Sequence, residues 1–368
     1  MKVAFDGRTI ADRYPGIGRY AFGLARALAA YTEVTVISNP AEENSRHDLS
    51  QISAHLLPLL ARPGSLDQHR FIPAAVGATD ASVYHAPYFL LYPSPTFMPL
   101  PCPSVVTFYD LIPLSSAAGF SFMGRWMIRF SHRQAGEDAA QIIVLSRAAR
   151  DSFVAKLSLD SRKIVIIPPG IDSHFRPRLR NEVKALRARI GLPDRYLLYV
   201  GTNRPHKNLP RLMEAFARLP AETPPLIVAG AEDRRYPQAR RAVEAFGLAD
   251  RVRFLGAVAE ADLPALYSGA TLFVFPSLVE GFGLPVVEAM ACGTPVACSN
   301  APGLEEAGGA AAVRFDPTNS ASVAETLSRI LEDAGERDEM RRRGIEHAAS
   351  FSWERAAEAT LRVYEAVA

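Results

Sequence analysis

Two glutamates, Glu280 and Glu288, stand in the stretch SLVEGFGLPVVEAMACGTPVACSN, with Gly281, Gly283 and Pro285 between them. Carboxylates can accept hydrogen bonds from hydroxyl groups. Glycines leave backbone N–H groups uncluttered for an anion. A second run, YVGTNRPHKN, brings Arg204, His206 and Lys207 together. Fixed cations stabilise charge that develops on a departing phosphate. Hydroxyls on carboxylates, with phosphates on amides and cations, are what a bound nucleotide sugar requires.

The elements that must position these groups are legible beside them. TLFVFPS reads as a buried strand, and Leu278 to Gly283 as the turn after it. Pro285 suits the first turn of a helix, where its missing N–H is no loss. Val286, Val287, Ala289 and Met290 give that helix an apolar side. Glu288 then lies in its early turns, near the positive end of the dipole. Asn208 is placed to cap the helix that NLPRLMEAF begins.

Runs of this kind recur. VAF, VTVIS, SVYHA, SVVTFY, QIIVLS and KIVIIPPG occur in the first half, and YLLYVG, PLIVAG, VRFLG, TLFVFP, TPVACS and AAVRF in the second. Helical patterns such as YAFGLARALAAY separate many of them. Buried strands alternating with helices predict α/β structure, a parallel sheet covered on both faces. The pattern occurs twice, with a polar, Arg-rich seam in GIDSHFRPRLRNEVKALRARI. The expected organisation is an N-terminal domain over 1–172, a C-terminal domain over 173–350 and a final helix over 351–368 that Ser352 can cap. Two open α/β domains facing a cleft would offer it the loops after their strands, where ligands bind.

Composition narrows the class. The chain has 368 residues, 48% of them hydrophobic, and a formal net charge of +2, so no polyanionic partner such as nucleic acid is expected. Cys102, Cys292 and Cys298 have no metal-ligand spacing and read as reduced thiols, which suggests the cytoplasm. No run is long and apolar enough to span a membrane, and MKVAFDGRT lacks a signal peptide's apolar core.

The segment EGFGLPVVE resembles the E-x7-E element of the retaining glycosyltransferases of family GT4, which have the GT-B fold. GIGRY (Gly16 to Tyr20), HAPYF (His85 to Phe89), PPGID (Pro168 to Asp172) and VGTNRPHKN (Val200 to Asn208) are similar to further pieces of that family, in the same order. The resemblance implies two Rossmann-like domains, with the nucleotide-sugar donor in the C-terminal one and the acceptor mostly in the N-terminal one. It also implies a last helix that crosses back to the first domain. By the same resemblance, Glu288 bonds the nucleotide ribose and Glu280 contacts hydroxyls of the transferred sugar. Gly281, Phe282, Gly283 and Leu284 hold sugar or phosphates through the backbone. Lys207 binds the pyrophosphate beside Gly201. Thr202 stands where some relatives carry arginine, and Arg204 is the candidate for that partner.

In the N-terminal half, Gly16 and Gly18 precede a helix, and the resemblance brings their amides toward the donor phosphate or sugar. The loop does not match G-x-G-x-x-G, so a nicotinamide cofactor is disfavoured. Arg19 adds charge or braces the loop. His85 ends a strand, as either an acceptor-side residue or a satisfied structural histidine. Tyr109 stands where many relatives have histidine, followed by the shared Asp110. Its hydroxyl can donate a hydrogen bond but cannot readily carry the same charge. Asp110 can orient an acceptor hydroxyl or a neighbouring cation.

GFSFMGRWMIRFSHRQ, if helical, gathers Arg125, Arg129 and Arg133 on one face and Phe120, Met123, Met127 and Phe130 on another. The favoured reading is a core helix with a charged outer face. The other is a basic amphipathic helix resting, with Trp126, on an anionic membrane.

The expected activity is retaining hexosyl transfer by front-face attack, with Lys207 and Arg204 supporting the leaving phosphate and Glu280, Asp110 and Tyr109 around the reacting sugar. No Asp-x-Asp motif ends a strand, so no metal is required. GDP-mannose is the favoured donor and a glycan or lipid-linked molecule the acceptor, in polysaccharide or glycolipid assembly. The alternatives are transfer from a UDP-sugar or other nucleotide sugar, sugar-nucleotide epimerisation, and non-catalytic nucleotide-sugar binding.

Overall fold

The computed structural model describes residues 1–93, 98–114 and 121–368. They form two compact units, Met1–Asp172 with Phe351–Ala368, and Ser173–Ser350.

The first unit is built on seven strands: β1 (Lys2–Asp6), β2 (Glu33–Ser38), β3 (His55–Pro58), β4 (Val83–Ala86), β5 (Ser104–Phe108), β6 (Gln141–Val144) and β7 (Ile164–Ile166). Their spatial order is β3-β2-β1-β4-β5-β6-β7, and every pairing is parallel. The second unit has β8 (Leu197–Val200), β9 (Leu226–Ala229), β10 (Val252–Gly256), β11 (Leu272–Phe275), β12 (Val296–Ser299) and β13 (Val313–Phe315), in the order β10-β9-β8-β11-β12-β13. These pairings are parallel too. Each sheet starts in the middle, runs out to one edge, then returns to build the other side. This is the doubly wound Rossmann arrangement, and each sheet has its switch point where the order reverses. In the first sheet that point lies between β1 and β4, in the second between β8 and β11. The central strands are buried on both faces, which is why they read as unbroken apolar runs. The edge strand β3 has an exposed or half-exposed pattern and carries no such signal.

The last helix, Trp353–Glu365, belongs to the first unit. Ser352 caps it, its hydroxyl accepting from the Arg355 amide at 3.2 Å. It packs on the helix Pro15–Leu28 through a specific seat. Trp353 lies against Gly23, where a Cβ would come within 2.2 Å of the indole. The indole N–H donates to Asp172 at 3.0 Å, and Arg26 pairs with the same carboxylate at 3.3 Å. A Cβ on Gly170 would meet the Trp353 amide at 2.3 Å. Gly170 and Asp172 of PPGID thus anchor the chain's return.

The helix Phe122–Asp138 departs from the favoured expectation. It packs inward through His132, Ala135 and Gly136, while Phe122, Met123, Trp126, Met127 and Phe130 are exposed. The apolar row is therefore not core. Phe120 lies outside the described residues.

Candidate functional site

In the second unit the loops at the switch point carry the residues singled out by their chemistry. The loop after β8 supplies Gly201, Arg204, His206 and Lys207, and the loop after β11 supplies Glu280, Gly281, Phe282 and Gly283. Lys207 and Glu280 meet there. Lys207 Nζ donates to Glu280 Oε1 at 2.6 Å, with side-chain exposures of only 16% and 10%. The ammonium also lies 5.1 Å from the centre of the Phe275 ring. Little water screens this pair, so its charges interact more strongly than surface charges would.

The backbone around it is closely fitted. The Leu278 amide donates to the His206 carbonyl at 2.8 Å, linking the two loops. Gly283, at φ +102°, is the N-cap of the helix Leu284–Ala291, with Pro285 in its first turn. A Cβ at Gly283 would strike Leu304 at 2.3 Å. Gly303, at φ +90°, brings the chain after β12 against the Glu280 carbonyl, where a Cβ would sit 2.0 Å from the oxygen. The Glu280 amide in turn donates to the Pro302 carbonyl at 3.2 Å. Sequence reasoning missed Gly303, because its role depends on a loop distant in sequence.

Glu288 is buried in the same helix, and the Tyr267 hydroxyl donates to its Oε2 at 2.9 Å. Tyr267 is itself held where Thr294 Oγ1 donates to its carbonyl at 2.6 Å. Neither Tyr267 nor Thr294 carried a motif. Asn208 stands at the helix N-cap position in the left-handed conformation, but its side chain does not cap. Its amide donates instead to the carbonyls of Pro276 at 3.1 Å and Pro317 at 2.8 Å. Asn203 similarly bonds Asp233 and Tyr236, donating to both carbonyls and accepting from the Asp233 amide. Two asparagines thus fasten the cationic loop to its neighbours. Arg204 is exposed on that loop. His206 is buried, and burial, together with Lys207 and Arg204, lowers its pKa to about 4 against the opposing pull of Glu280. It is a neutral imidazole at physiological pH.

In the first unit, Gly16 and Gly18 lie inside the first turn of the helix Pro15–Leu28 rather than ahead of it. A Cβ on Gly18 would approach the Thr9 carbonyl at 2.7 Å, whereas one on Gly16 would meet open space. Gly18 therefore serves close packing, and Gly16 leaves the helix start uncovered. Arg19 is half-buried in the same turn.

His85 is fully buried at the end of β4. Its Nδ1 bonds the Tyr364 hydroxyl at 2.6 Å and its Nε2 the Thr107 hydroxyl at 2.8 Å. Burial lowers its pKa to about 3. Of the two readings open in the sequence, the structure supports the satisfied histidine, which ties the last helix to the sheet. Tyr109 donates to the Pro87 carbonyl at 2.9 Å and packs edge-on to Tyr20 and Tyr88. Burial raises its pKa, so it stays a neutral phenol. Asp110 Oδ1 accepts from the Ile112 amide at 2.8 Å, holding the turn that follows β5.

The first unit also contains a buried polar network with no motif in the sequence. Arg8 and Asp6 pair at 2.7 Å with both side chains fully buried. Arg8 donates to the Ala61 carbonyl and Tyr84 to Asp6, each at 2.8 Å. It fixes the end of β1 beside the switch point. Among the described residues, no group of three or more His, Cys, Asp or Glu side chains could hold a metal ion, and no helix is long and apolar enough to cross a membrane.

Comparison with known proteins agrees with this architecture. Residues 14–175 match the model described as "Glycosyltransferase Family 4", and residues 183–347 the one described as "Glycosyl transferases group 1". The chain is 29% identical to O-antigen chain mannosyltransferase B of Escherichia coli, over 99% of this chain and 100% of that protein. It is 34% identical to a D-inositol 3-phosphate glycosyltransferase of Salinispora arenicola, over 63% of this chain and 56% of that one. Among solved structures, Anabaena HepE with UDP and glucose superposes with a TM-score of 0.79 at 21% identity, covering all of both chains. Two family models in tandem, each on its own doubly wound sheet, leave one conclusion: the chain is a GT-B-fold glycosyltransferase related to bacterial transferases that use sugar nucleotides.

Proposed function

We propose that the protein is a retaining, GT4-type transferase that moves a hexosyl group from a nucleoside diphosphate sugar to a glycan or lipid-linked acceptor. The observation that carries this reading is the Lys207–Glu280 pair, assembled from two loops at the switch point of the second sheet. An entering donor can replace each partner of that pair. The pyrophosphate takes the ammonium, and sugar hydroxyls donate to the carboxylate. Lys207, with Arg204, then meets the negative charge that grows on the phosphate as the anomeric C–O bond breaks. In front-face attack the leaving phosphate oxygen accepts the proton of the acceptor hydroxyl, so no carboxylate nucleophile is needed. The Glu288 carboxylate, oriented by Tyr267, is assigned to the ribose. The amides of Gly281 to Leu284 and of Gly201 are assigned to phosphate and sugar.

Residues 173–350 are proposed as the donor-binding part and 1–172 as the acceptor part, with 351–368 completing the latter's fold. Arg19, Tyr109 and Asp110 are its candidates for acceptor contact, and the helix start at Gly16 for contact with donor phosphate. His85, bonded to Thr107 and Tyr364, holds the end of β4 to β5 and to the last helix.

The donor is proposed as a nucleoside diphosphate hexose, with UDP-sugars included. Mannosyl transfer from GDP-mannose is the narrower form, supported by full-length similarity to O-antigen chain mannosyltransferase B. A thermal-shift panel of GDP, UDP, ADP and dTDP, followed by intact donors, separates the two through ligand linkage. Preference for GDP and GDP-mannose supports the narrower form, and preference for UDP overturns it. Incubation with donor alone tests the transferase reading, since an isomerised sugar without acceptor would mark an epimerase. Retention is read by NMR as an α-linked product from an α-linked donor.

A further inference from the structure

The helix Phe122–Asp138 carries an apolar row that the proposed chemistry does not use. Phe122, Met123, Trp126, Met127 and Phe130 are each between 53% and 78% exposed. Trp126 and Phe130 stack on one another, their ring centres 5.5 Å apart and nearly parallel. At 3.6 residues per turn the five side chains fill an arc of roughly 140°. His132, Ala135 and Gly136, the buried residues, occupy the opposite side. The outward side of this helix is therefore its more apolar one, the reverse of a soluble surface helix.

Charge says what such a face fits. From Phe122 to Gly136 the sequence FMGRWMIRFSHRQAG has three arginines and no acidic residue. On the same count Arg129 and Arg133 lie at the Phe122 edge of the apolar arc, and Arg125 lies further round, toward the buried side. Arg133 pairs with Glu137 one turn on, at 2.7 Å. A face of large apolar side chains including tryptophan, edged by arginines, matches a lipid surface with anionic headgroups. A second copy of the chain would present the same face, since a two-fold interface uses one patch twice. Between Phe122 and Gly136 any charge meeting the arginines there would be positive, and Glu137, on the same face, is paired with Arg133.

We infer that the helix Phe122–Asp138 lies in the plane of an anionic bilayer, with Phe122, Met123, Trp126, Met127 and Phe130 inserted below the headgroups and Arg129 at headgroup level. The chain contains two tryptophans. Trp353 is buried in its seat, so a change in emission on binding reports Trp126.

The experiment uses the full chain with vesicles of phosphatidylcholine alone and of an equimolar mixture with phosphatidylglycerol. Co-sedimentation and a blue-shifted emission are expected with the mixture and not with the neutral vesicles. In Trp126→Phe the shift should vanish while sedimentation persists. Met127→Glu with Phe130→Glu should lower vesicle partitioning at least about tenfold, the factor expected for losing one buried apolar side chain of this size. Both positions are exposed, so the thermal midpoint should be unchanged. Absence of wild-type binding to the mixture would overturn the inference. So would equal binding to both vesicle types, wild-type binding by the double-glutamate variant, or a stable dimer that buries Trp126 and ignores vesicles.

Discussion

Replacing Lys207 by alanine separates a stability role from a role in turnover. The Nζ–Oε1 distance of 2.6 Å and the low exposure of both partners place this pair between a surface ion pair and a buried one. Surface pairs contribute about 0–1 kcal/mol, and breaking a buried pair loses about 3–5 kcal/mol. Lys207→Ala should therefore destabilise the fold by about 2 kcal/mol, because Glu280 is left poorly solvated without its cation. The effect on turnover is larger. A fixed donor at a site of developing charge is worth about 2–4 kcal/mol of transition-state stabilisation, a fall of roughly 30- to 1000-fold in kcat. Adding Glu280→Gln discriminates the roles. If Lys207 only balanced Glu280, the double variant would match Glu280→Gln alone in both stability and turnover. If Lys207 acts on the leaving phosphate, stability matches that of Glu280→Gln while turnover falls well below it. The assay is donor consumption under saturating acceptor, paired with urea unfolding of each variant. Near-normal turnover in Lys207→Ala, or equal turnover in the double variant and in Glu280→Gln alone, would refute the reasoning. Lys207→Arg should recover little, since a planar fork cannot replace a compact ammonium on the same two loops.

Glu288→Ala should weaken binding of the free nucleoside diphosphate in calorimetric titration, whereas Glu280→Ala should chiefly lower turnover of the intact donor; reversed outcomes would exchange the ribose and sugar assignments. Gly303→Ala should destabilise the protein by more than about 1 kcal/mol and lower turnover with it, because its left-handed backbone and the Glu280 carbonyl 2.0 Å from the new Cβ both oppose a side chain; unchanged thermal midpoint and kcat would show that the loops can part. Acid should destabilise the fold through buried histidines. His85 and His132 have pKa values lowered by burial to about 3 and about 4, against about 6.5 when unfolded. The unfolded chain binds the extra protons, so stability is full above about pH 6.5 and falls as pH drops toward 4, by about 4 kcal/mol for the pair at pH 5. Urea midpoints at pH 7 and pH 5 measure this, and equal midpoints would count against it.

The class of fold was legible because its signals are local. A central strand of a parallel sheet is apolar on both faces, so runs such as LLYV and LFVF declare themselves without knowledge of their partners. HLLP at β3 does not, because an edge strand is only partly covered. The chemistry of the loops was legible for a related reason. Which residue types follow a strand is written in order along the chain, and Lys207, Glu280 and Glu288 could be named with candidate roles before any contact was known. Their meeting could not. Lys207 and Glu280 are 73 residues apart, and only the reversal of strand order between β8 and β11 makes their loops neighbours. His85 shows the same limit. A histidine at a strand end reads alike as ligand or support until Tyr364, 279 residues further on, closes over it. Asn208 had the residue type of a cap, but its left-handed backbone is not that of a capping residue, and its side chain donates to carbonyls of two other loops. The helix Phe122–Asp138 gives the clearest division. Periodicity distributes its apolar and charged residues around the axis, yet the face that is covered depends on what the sheet and its neighbours leave for it to pack against. Sequence determines the chemistry each element carries, and tertiary packing decides which of those groups meet, which are buried and which face outward.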